Sequence, residues 1–303
     1  LRAGRMAFEV LDRRLVARNE WRNTTNTFQG LRAVLGEPRN DWQLDLLALR
    51  PIDRETSGLD EADPDRRFLG VLGAWRRRAD IATLQPYWLR LDQDASADGP
   101  RRRIDTLGLR AFGTAGDTGL DYDLHAAWQT GRDGSLNHRS FFGVAEFGYS
   151  APWPWSPRLS AQYLQAGGDA DPLDGRSNRF ERLFGFARPL SANDYFQLEN
   201  LRAPKLRLEL APAPWLRVDA GWNRYWLDSA TDRWNNAGLR DPTGASGRDV
   251  GRELDARARV TVGHVTATAG YAWFEPGRFT VATSGRSSPS NFLYLELYLT
   301  AFR

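Results

Sequence analysis

The stretch Arg252-Glu253-Leu254-Asp255-Ala256-Arg257-Ala258-Arg259-Val260-Thr261-Val262 alternates polar and apolar residues at nearly every step. Successive side chains of a β-strand point to opposite faces, so this segment reads as a strand with one charged and one apolar face. Two residues later, after Gly263-His264, the alternation resumes. Val265, Ala267, Ala269, Tyr271 and Trp273 oppose Thr266, Thr268 and Gly270. Two such runs around a glycine-containing dipeptide predict a β-hairpin.

The same period recurs in Leu120–Trp128, Lys205–Ala211 and Leu293–Thr300. About fourteen strands of ~8–12 residues follow from it. They centre near Gly4, Arg32, Leu44, Val71, Tyr87, Leu107, Leu124, Ala145, Ala161, Leu208, Asp219, Ala256, Ala267 and Leu295. Turn residues fill the breaks, as at Gly36–Asn40, Pro152–Pro157 and Gly263–His264. Long connections are expected at Asp53–Asp65, Gly167–Gln197 and Ser229–Gly251. Neither a helix nor a domain boundary is evident, so residues 1–303 read as one all-β domain.

Composition narrows the class. The 303 residues contain no cysteine, which removes disulfides, thiolate metal sites and cysteine nucleophiles. No apolar run approaches the ~20 residues of a membrane-spanning helix. Of the 41 basic residues only Lys205 is lysine, and the net charge is +3. Attraction for anions therefore depends on where the arginines sit rather than on their sum. The chain starts at Leu1 without a targeting segment, which reads as a processed or truncated N-terminus.

A long antiparallel sheet must hide its edges, and closure into a barrel is one solution. Alternation alone fits either a soluble sandwich or a membrane barrel. Three features favour the barrel. Apolar-face residues are often small or plain aliphatic, as with Ala256, Ala258, Ala267 and Ala269. Aromatics gather near strand ends: Trp88, Trp128, Tyr149, Trp153, Trp155, Trp215, Trp226 and Trp273. Interfacial girdles have this distribution. Opposite charges such as Glu253, Asp255, Arg257 and Arg259 share the polar face, which suits a wet lumen better than a dry core.

Several blocks resemble the alginate export family of bacterial outer-membrane β-barrel porins. Gly247-Arg248-Asp249-Val250-Gly251-Arg252-Glu253-Leu254-Asp255 is similar to that family's Gly-Arg-Asp…Gly-His-Glu-Leu-Asp strand start, with Arg252 in place of the histidine. Gly270-Tyr271-Ala272-Trp273-Phe274-Glu275-Pro276-Gly277 and the closing Phe292–Leu297 segment also resemble it. So do Arg14-Leu15-Val16, Trp21-Arg22-Asn23 and Phe28-Gln29-Gly30-Leu31-Arg32 near the N-terminus. Leu183-Phe184-Gly185 through Leu201 looks like the family's long loop and the strand start after it, without the histidine of its Ala-His-Lys element. The anchors occur in order along nearly the whole chain. The resemblance implies an antiparallel transmembrane β-barrel of about eighteen strands, of which about 14 are visible here. The first strands would then lie upstream of Leu1, and the C-terminus after Phe302 would be nearly complete. It also implies passive export of an anionic, alginate-like polysaccharide across the outer membrane, with no cofactor.

Such a path needs fixed positive charge, and guanidinium pairs carboxylates bidentately at any working pH. Interspersed acids keep binding weak enough for release. The expected lumen residues are Arg5, Arg18, Arg22, Arg32, Arg110, Arg207, Arg217, Arg257 and Arg259, with Asp45, Glu146, Glu253 and Asp255. Cross-strand bracing of the wall is the plainer reading of each pair. The Arg13–Asn23 segment, with Arg14, Glu20, Trp21 and Asn23, is the expected constriction, a solvated loop being its alternative.

Other chemistries are weakly supported. Of His125, His138 and His264, only His125 shares a polar face with carboxylates, Asp121 and Asp123. No serine is positioned beside it by the pattern, so an enzyme is not expected. Asp169, Asp171 and Asp174 read as a solvated acidic loop rather than a calcium site, and no metal is expected. The Arg76–Arg78 and Arg101–Arg103 runs are assigned to lipid head groups or lipopolysaccharide phosphates, not to nucleic acid. Expected partners are an anionic polysaccharide or sugar, outer-membrane lipids and periplasmic secretion components, around a monomeric pore. A porin for small anionic solutes and a non-membrane carbohydrate-binding protein are the alternatives.

Overall fold

A computed structural model describes residues 1–19, 25–55, 57–96, 99–186 and 188–301. Fourteen strands follow one another in space in chain order, each antiparallel to the next. They are β1 (Arg2–Met6), β2 (Phe28–Leu35), β3 (Trp42–Asp53), β4 (Arg66–Arg78) and β5 (Ala82–Gln93). Next come β6 (Arg102–Thr114), β7 (Leu120–Asp133), β8 (Leu136–Ser150), β9 (Arg158–Ala166) and β10 (Leu201–Ala213). The last are β11 (Leu216–Trp226), β12 (Asp249–Val262), β13 (Val265–Pro276) and β14 (Ser290–Leu299). Every strand expected from the period-two pattern is present. Two-residue pairings at Glu61–Ala62 and Arg176–Ser177 add to β3 and β8.

The connections alternate. At one end the hairpins are short, as at Pro214-Trp215, where Ala213 pairs with Leu216, and at Gly263-His264, where Val262 pairs with Val265. Gly263 takes φ +58°, the left-handed conformation that such a two-residue turn requires. At the other end the chain makes long excursions between β1 and β2, β9 and β10, and β11 and β12. In outer-membrane barrels the long loops are extracellular and the short turns periplasmic.

One face of the sheet is apolar and exposed. On β14, Leu293, Leu295, Leu297 and Leu299 are 65–78% exposed. Leu107, Leu109, Leu124, Leu159 and Leu206 continue the surface around the wall. In water each such side chain would forgo roughly 1.5–3 kcal/mol of burial, which acyl chains restore. Trp42, Trp75, Phe147 and Trp215 stand near the short-turn end, and Trp128, Phe141 and Trp222 toward the long-loop end. No helix among the described residues is long and apolar enough to cross a membrane.

The inner face divides into two zones. In the long-loop half it is apolar and fully buried: Phe28, Leu47, Leu49, Phe68, Leu89, Leu91, Phe142 and Leu164 line it. Two chain segments fold into the barrel and pack there. One, from the β1–β2 connection, contributes Phe8, Leu15 and Val16; the other, from β9–β10, contributes Phe180, Leu183, Leu190 and Phe196. The uniformly polar inner face expected from sequence is thus confined to the short-turn half. The apolar half exists because it solvates these segments, and β3 and β4 also carry apolar residues outward there, as in the Leu46–Val71 and Ala48–Leu69 pairs.

A helix absent from the sequence reading, α1 (Arg278–Ser284), lies between β13 and β14. Its seven residues bury only Phe279 and Thr280, too few to print a helical period. Gly277 and Gly285 bound it, and Thr280 Oγ1 donates to the Val250 carbonyl at 2.6 Å.

Candidate functional site: a charged interior under two inserted segments

The two inserted segments run beside each other across the barrel. Phe184 N donates to the Leu15 carbonyl at 2.9 Å, Ala17 N to Phe184 at 3.0 Å, and Phe186 N to Arg13 at 3.0 Å. Gly185 is required at the crossing, since a Cβ there would sit 1.8 Å from the Arg14 carbonyl oxygen. Leu11, Arg13 and Leu183 adopt positive φ. Strained backbone of this kind persists where surrounding packing over-determines it. Phe8, Phe28, Phe68 and Phe184 supply that packing, with neighbouring ring centroids 4.9–5.9 Å apart.

Polar anchors fix the segments to the wall. Asp12 accepts from Arg14, reaches His125 Nδ1 at 2.7 Å, and lies 4.0 Å from the Arg110 guanidinium. The other imidazole nitrogen of His125 is 2.8 Å from the Tyr87 hydroxyl. Burial opposes ionisation of Asp12, but Arg14, His125 and Arg110 together outweigh it and hold the carboxyl well below its ordinary range. Arg14 also donates to Gln162 at 2.7 Å. Glu253 anchors the second segment. It accepts from Ser191 Oγ (2.6 Å), Ala192 N (2.8 Å) and Asn193 Nδ2 (2.7 Å). Tyr225, stacked on Phe196 at 3.9 Å, donates to the Leu190 carbonyl.

Below these segments, toward the short turns, lies a polar cavity of about 420 Å³. Arg13, Arg14 and Arg188 come from its roof, while Arg158, Lys205, Arg207 and Arg257 come from the wall. Glu146, Glu209, Asp255 and Glu296 are the carboxylates that line it. Arg158 bridges Asp121, Glu146 and Glu209 at 2.6–2.9 Å. Arg207 joins Asp219 and Asp255, and Arg257 donates to the other Asp219 oxygen at 2.8 Å. Lys205 Nζ donates to the Pro189 carbonyl of the inserted segment at 3.3 Å.

Most residues expected to line the lumen lie on this inner face, but their surroundings differ. Glu146, Arg207, Asp255 and Arg257 meet in the cavity. Arg32 and Asp45 form a two-pronged pair against the wall, with Arg32 over the Phe8 ring. Arg110 is held by Asp123 and Gln85. Arg217 and Arg259 oppose each other directly near the short turns, both exposed. Glu253 faces inward but is fully buried, its oxygens occupied by the 191–193 turn, so it anchors that turn instead of lining an open path. Arg5 is a correction. It pairs with Gln29, which pairs with Arg50, and this row is on the outward face. Five residues are too few to set the phase of a strand by alternation. Arg14 lies in the first inserted segment, and Arg18 follows it. Arg22, Glu20, Trp21 and Asn23 lie outside the described residues.

Asp12, Arg158 and Lys205 were missed as site residues. Arg158 and Lys205 share a parity with Ser160 and Arg207, so alternation contained the signal. Asp12 lies between strands, where no period exists to find it. His125 has Asp12 and Tyr87 as partners, not the Asp121 and Asp123 of its own strand. Asp171 and Asp174 cap local turns through the Leu173 and Arg176 amides, and Asp232 holds Arg179.

A wall of amphipathic antiparallel strands around inserted segments and a charged interior defines the class: an outer-membrane β-barrel channel. The chain belongs to the alginate export family, whose model matches residues 1–293, and its location is the bacterial outer membrane. Solved structures of Pseudomonas aeruginosa outer-membrane proteins share the fold. OccK8 (OprE) aligns with a TM-score of 0.63 at 17% identity, covering 98% of this chain and 75% of that one. OprD aligns at 0.61 and 12% identity, covering 98% and 74%. OccK11 (OpdR) gives 0.58 and 17%, covering 97% and 76%. No curated protein sequence matches.

Proposed function

We propose that the chain conducts an anionic saccharide, alginate-like in carrying carboxylates, by diffusion through the charged interior. The observation that carries this reading is the cavity, where seven basic side chains face four acidic ones. Guanidinium groups already holding carboxylates of the wall exchange them for a passing uronate at small net cost, which favours transit over trapping. The family supports a polymer as cargo. The inserted segments favour a second reading. They roof a cavity whose ~420 Å³ falls in the range of small-molecule pockets, which suits a short acidic saccharide or another small anion.

Planar-bilayer recording under a salt gradient tests the first point. The reversal potential should show anion preference, and Lys205→Glu with Arg257→Glu should weaken or invert it. Cation preference in the unaltered protein would sink the reading. Block by a long polyuronate but not by a monouronate supports the polymer, and the reverse supports the small anion.

A further inference from the structure

The outward face carries a cationic row that the transport path does not use. On the inner side of the long-loop rim, residues pack against the inserted segments; on the outer side, directly above the apolar band, arginines align across strands. Arg5 opposes Gln29, and Gln29 opposes Arg50. Arg50 and Arg67 flank the paired Leu49 and Phe68 on matching sides. Arg67 opposes Asp92, Asp92 opposes Arg103, and Arg103 opposes Arg132. One row thus runs from β1 to β7 with a single carboxylate in it. Neighbouring strands are ~4.8 Å apart, so Arg50 to Arg132 spans roughly 19 Å. Arg139 on β8, opposite Thr130, sits one step nearer the apolar band.

These arginines are exposed, and like charges directly opposed on one face cost stability. Among the described residues, no carboxylate pairs with Arg50, Arg103 or Arg132; Arg132 reaches only the Ser135 carbonyl at 3.4 Å, and Arg67 is 3.9 Å from Asp94. The same rim on the opposite side of the wall is built differently. There Arg202 pairs with Asp228, Arg224 with Asp249, and Arg252 with Glu275, all at 2.6–2.8 Å. At the short-turn end the outward strand positions are mostly apolar or aromatic, and charge lies in and beside the turns, at Glu37, Arg39, Arg76–Arg78 and Asp80.

We infer that the β1–β7 row is a docking surface for the phosphates of lipopolysaccharide. The lipid that carries phosphates beside acyl chains and occurs in one leaflet only matches a belt present at one end only. Phosphate accepts the planar guanidinium fork in two hydrogen bonds, and the acyl chains would descend over Leu31, Val71 and Leu107 below the row. Arg50, Arg103 and Arg132 are the binding half; the carboxylate-paired arginines, Arg90 with Asp105 on β5–β6 and those of β10–β13, are not.

The test uses the folded barrel in detergent. Lipopolysaccharide is titrated against Arg50→Gln/Arg103→Gln/Arg132→Gln and against the control Arg224→Gln/Arg252→Gln, with capture read by native mass spectrometry. The triple variant should bind about tenfold more weakly, a difference the assay resolves; the control should match the unaltered protein. Lipid A stripped of phosphate should bind the unaltered protein no better than the triple variant. Heat-modifiable gel mobility reports folding, and a lysine triple variant, which keeps the charge, should retain part of the binding if the glutamine variant misfolds. Equal binding by triple variant and control overturns the proposal. So does phosphatidylglycerol competing as well as lipopolysaccharide, since the surface would then read anionic lipid of either leaflet.

Discussion

Asp12 Oδ2 lies 2.7 Å from His125 Nδ1, joining a segment that hangs inside the barrel to the middle of strand β7. The imidazole continues to Tyr87 on β5, so one carboxylate ties the segment to two strands of the wall. Arg14 and Arg110 balance its charge. The contact fixes where the first inserted segment can sit.

Replacing Asp12 by Asn should loosen that segment. The change removes the charge that compensates buried Arg14 and Arg110, a loss on the order of 3–5 kcal/mol for a broken buried pair. Single-channel conductance should rise and fluctuate more, while heat-modifiable mobility stays intact. Unchanged conductance would show that the segment is held by packing alone.

Acid should not open the same latch in the ordinary range. The folded Asp12 carboxyl titrates below its unfolded value, so its stabilisation is present above the unfolded pKa of ~3.9 and is lost only as pH falls through the lower folded value. Conductance should therefore be steady from neutral pH down to about 4. A transition near pH 5 would assign the opening to another group.

Glu253→Ala should release the 191–193 turn. Ser191, Ala192 and Asn193 would lose their acceptor, at about 1–3 kcal/mol for each donor left unsatisfied. Limited proteolysis should then cut near residue 192 in the folded barrel, and Glu253→Gln should be cut more slowly. Equal resistance in all three proteins would remove the anchoring role.

Charge reversal at Arg217 and Arg259 probes the short-turn mouth. The two oppose each other without a carboxylate partner among the described residues. Arg217→Glu/Arg259→Glu should lower anion preference, most at low salt, because exposed charges are screened beyond a Debye length of ~10 Å at 0.1 M. A reversal potential that does not move would leave them as wall residues only.

Glu199, in the β9–β10 connection, carries the opposite sign. Burial raises its pKa, against the hydrogen bond from Asn235 Nδ2. Stability associated with the neutral form is present at low pH and lost as pH rises through the raised folded value. Glu199→Gln should therefore raise the thermal midpoint of folded mobility at neutral pH and flatten its pH dependence. A lower midpoint would mean that the carboxylate is needed.

The strands were legible because a two-residue period prints directly on the sequence wherever the two faces meet different surroundings. Leu293–Leu299 and Leu254–Val262 show it most plainly. The period fails where both faces are apolar, as at Leu46–Leu49, since there the inner face meets the inserted segments. Those segments fold by long-range contacts such as Val16 with Phe184, which no local pattern encodes. Of the site, the wall arginines were visible through parity. The anchors Asp12 and Tyr87 were not, because their meaning depends on His125, 113 and 38 positions away.

Lys205 stands in the cavity as the lone side-chain primary amine among these 303 residues, whose other strong bases are guanidines. Amine-directed reagents discriminate sharply between the two. Among these 303 residues a fluorophore or acyl tag has one side-chain address, inside the passage, so that labelling speed at Lys205 becomes a clock for how often the roof lets a molecule through.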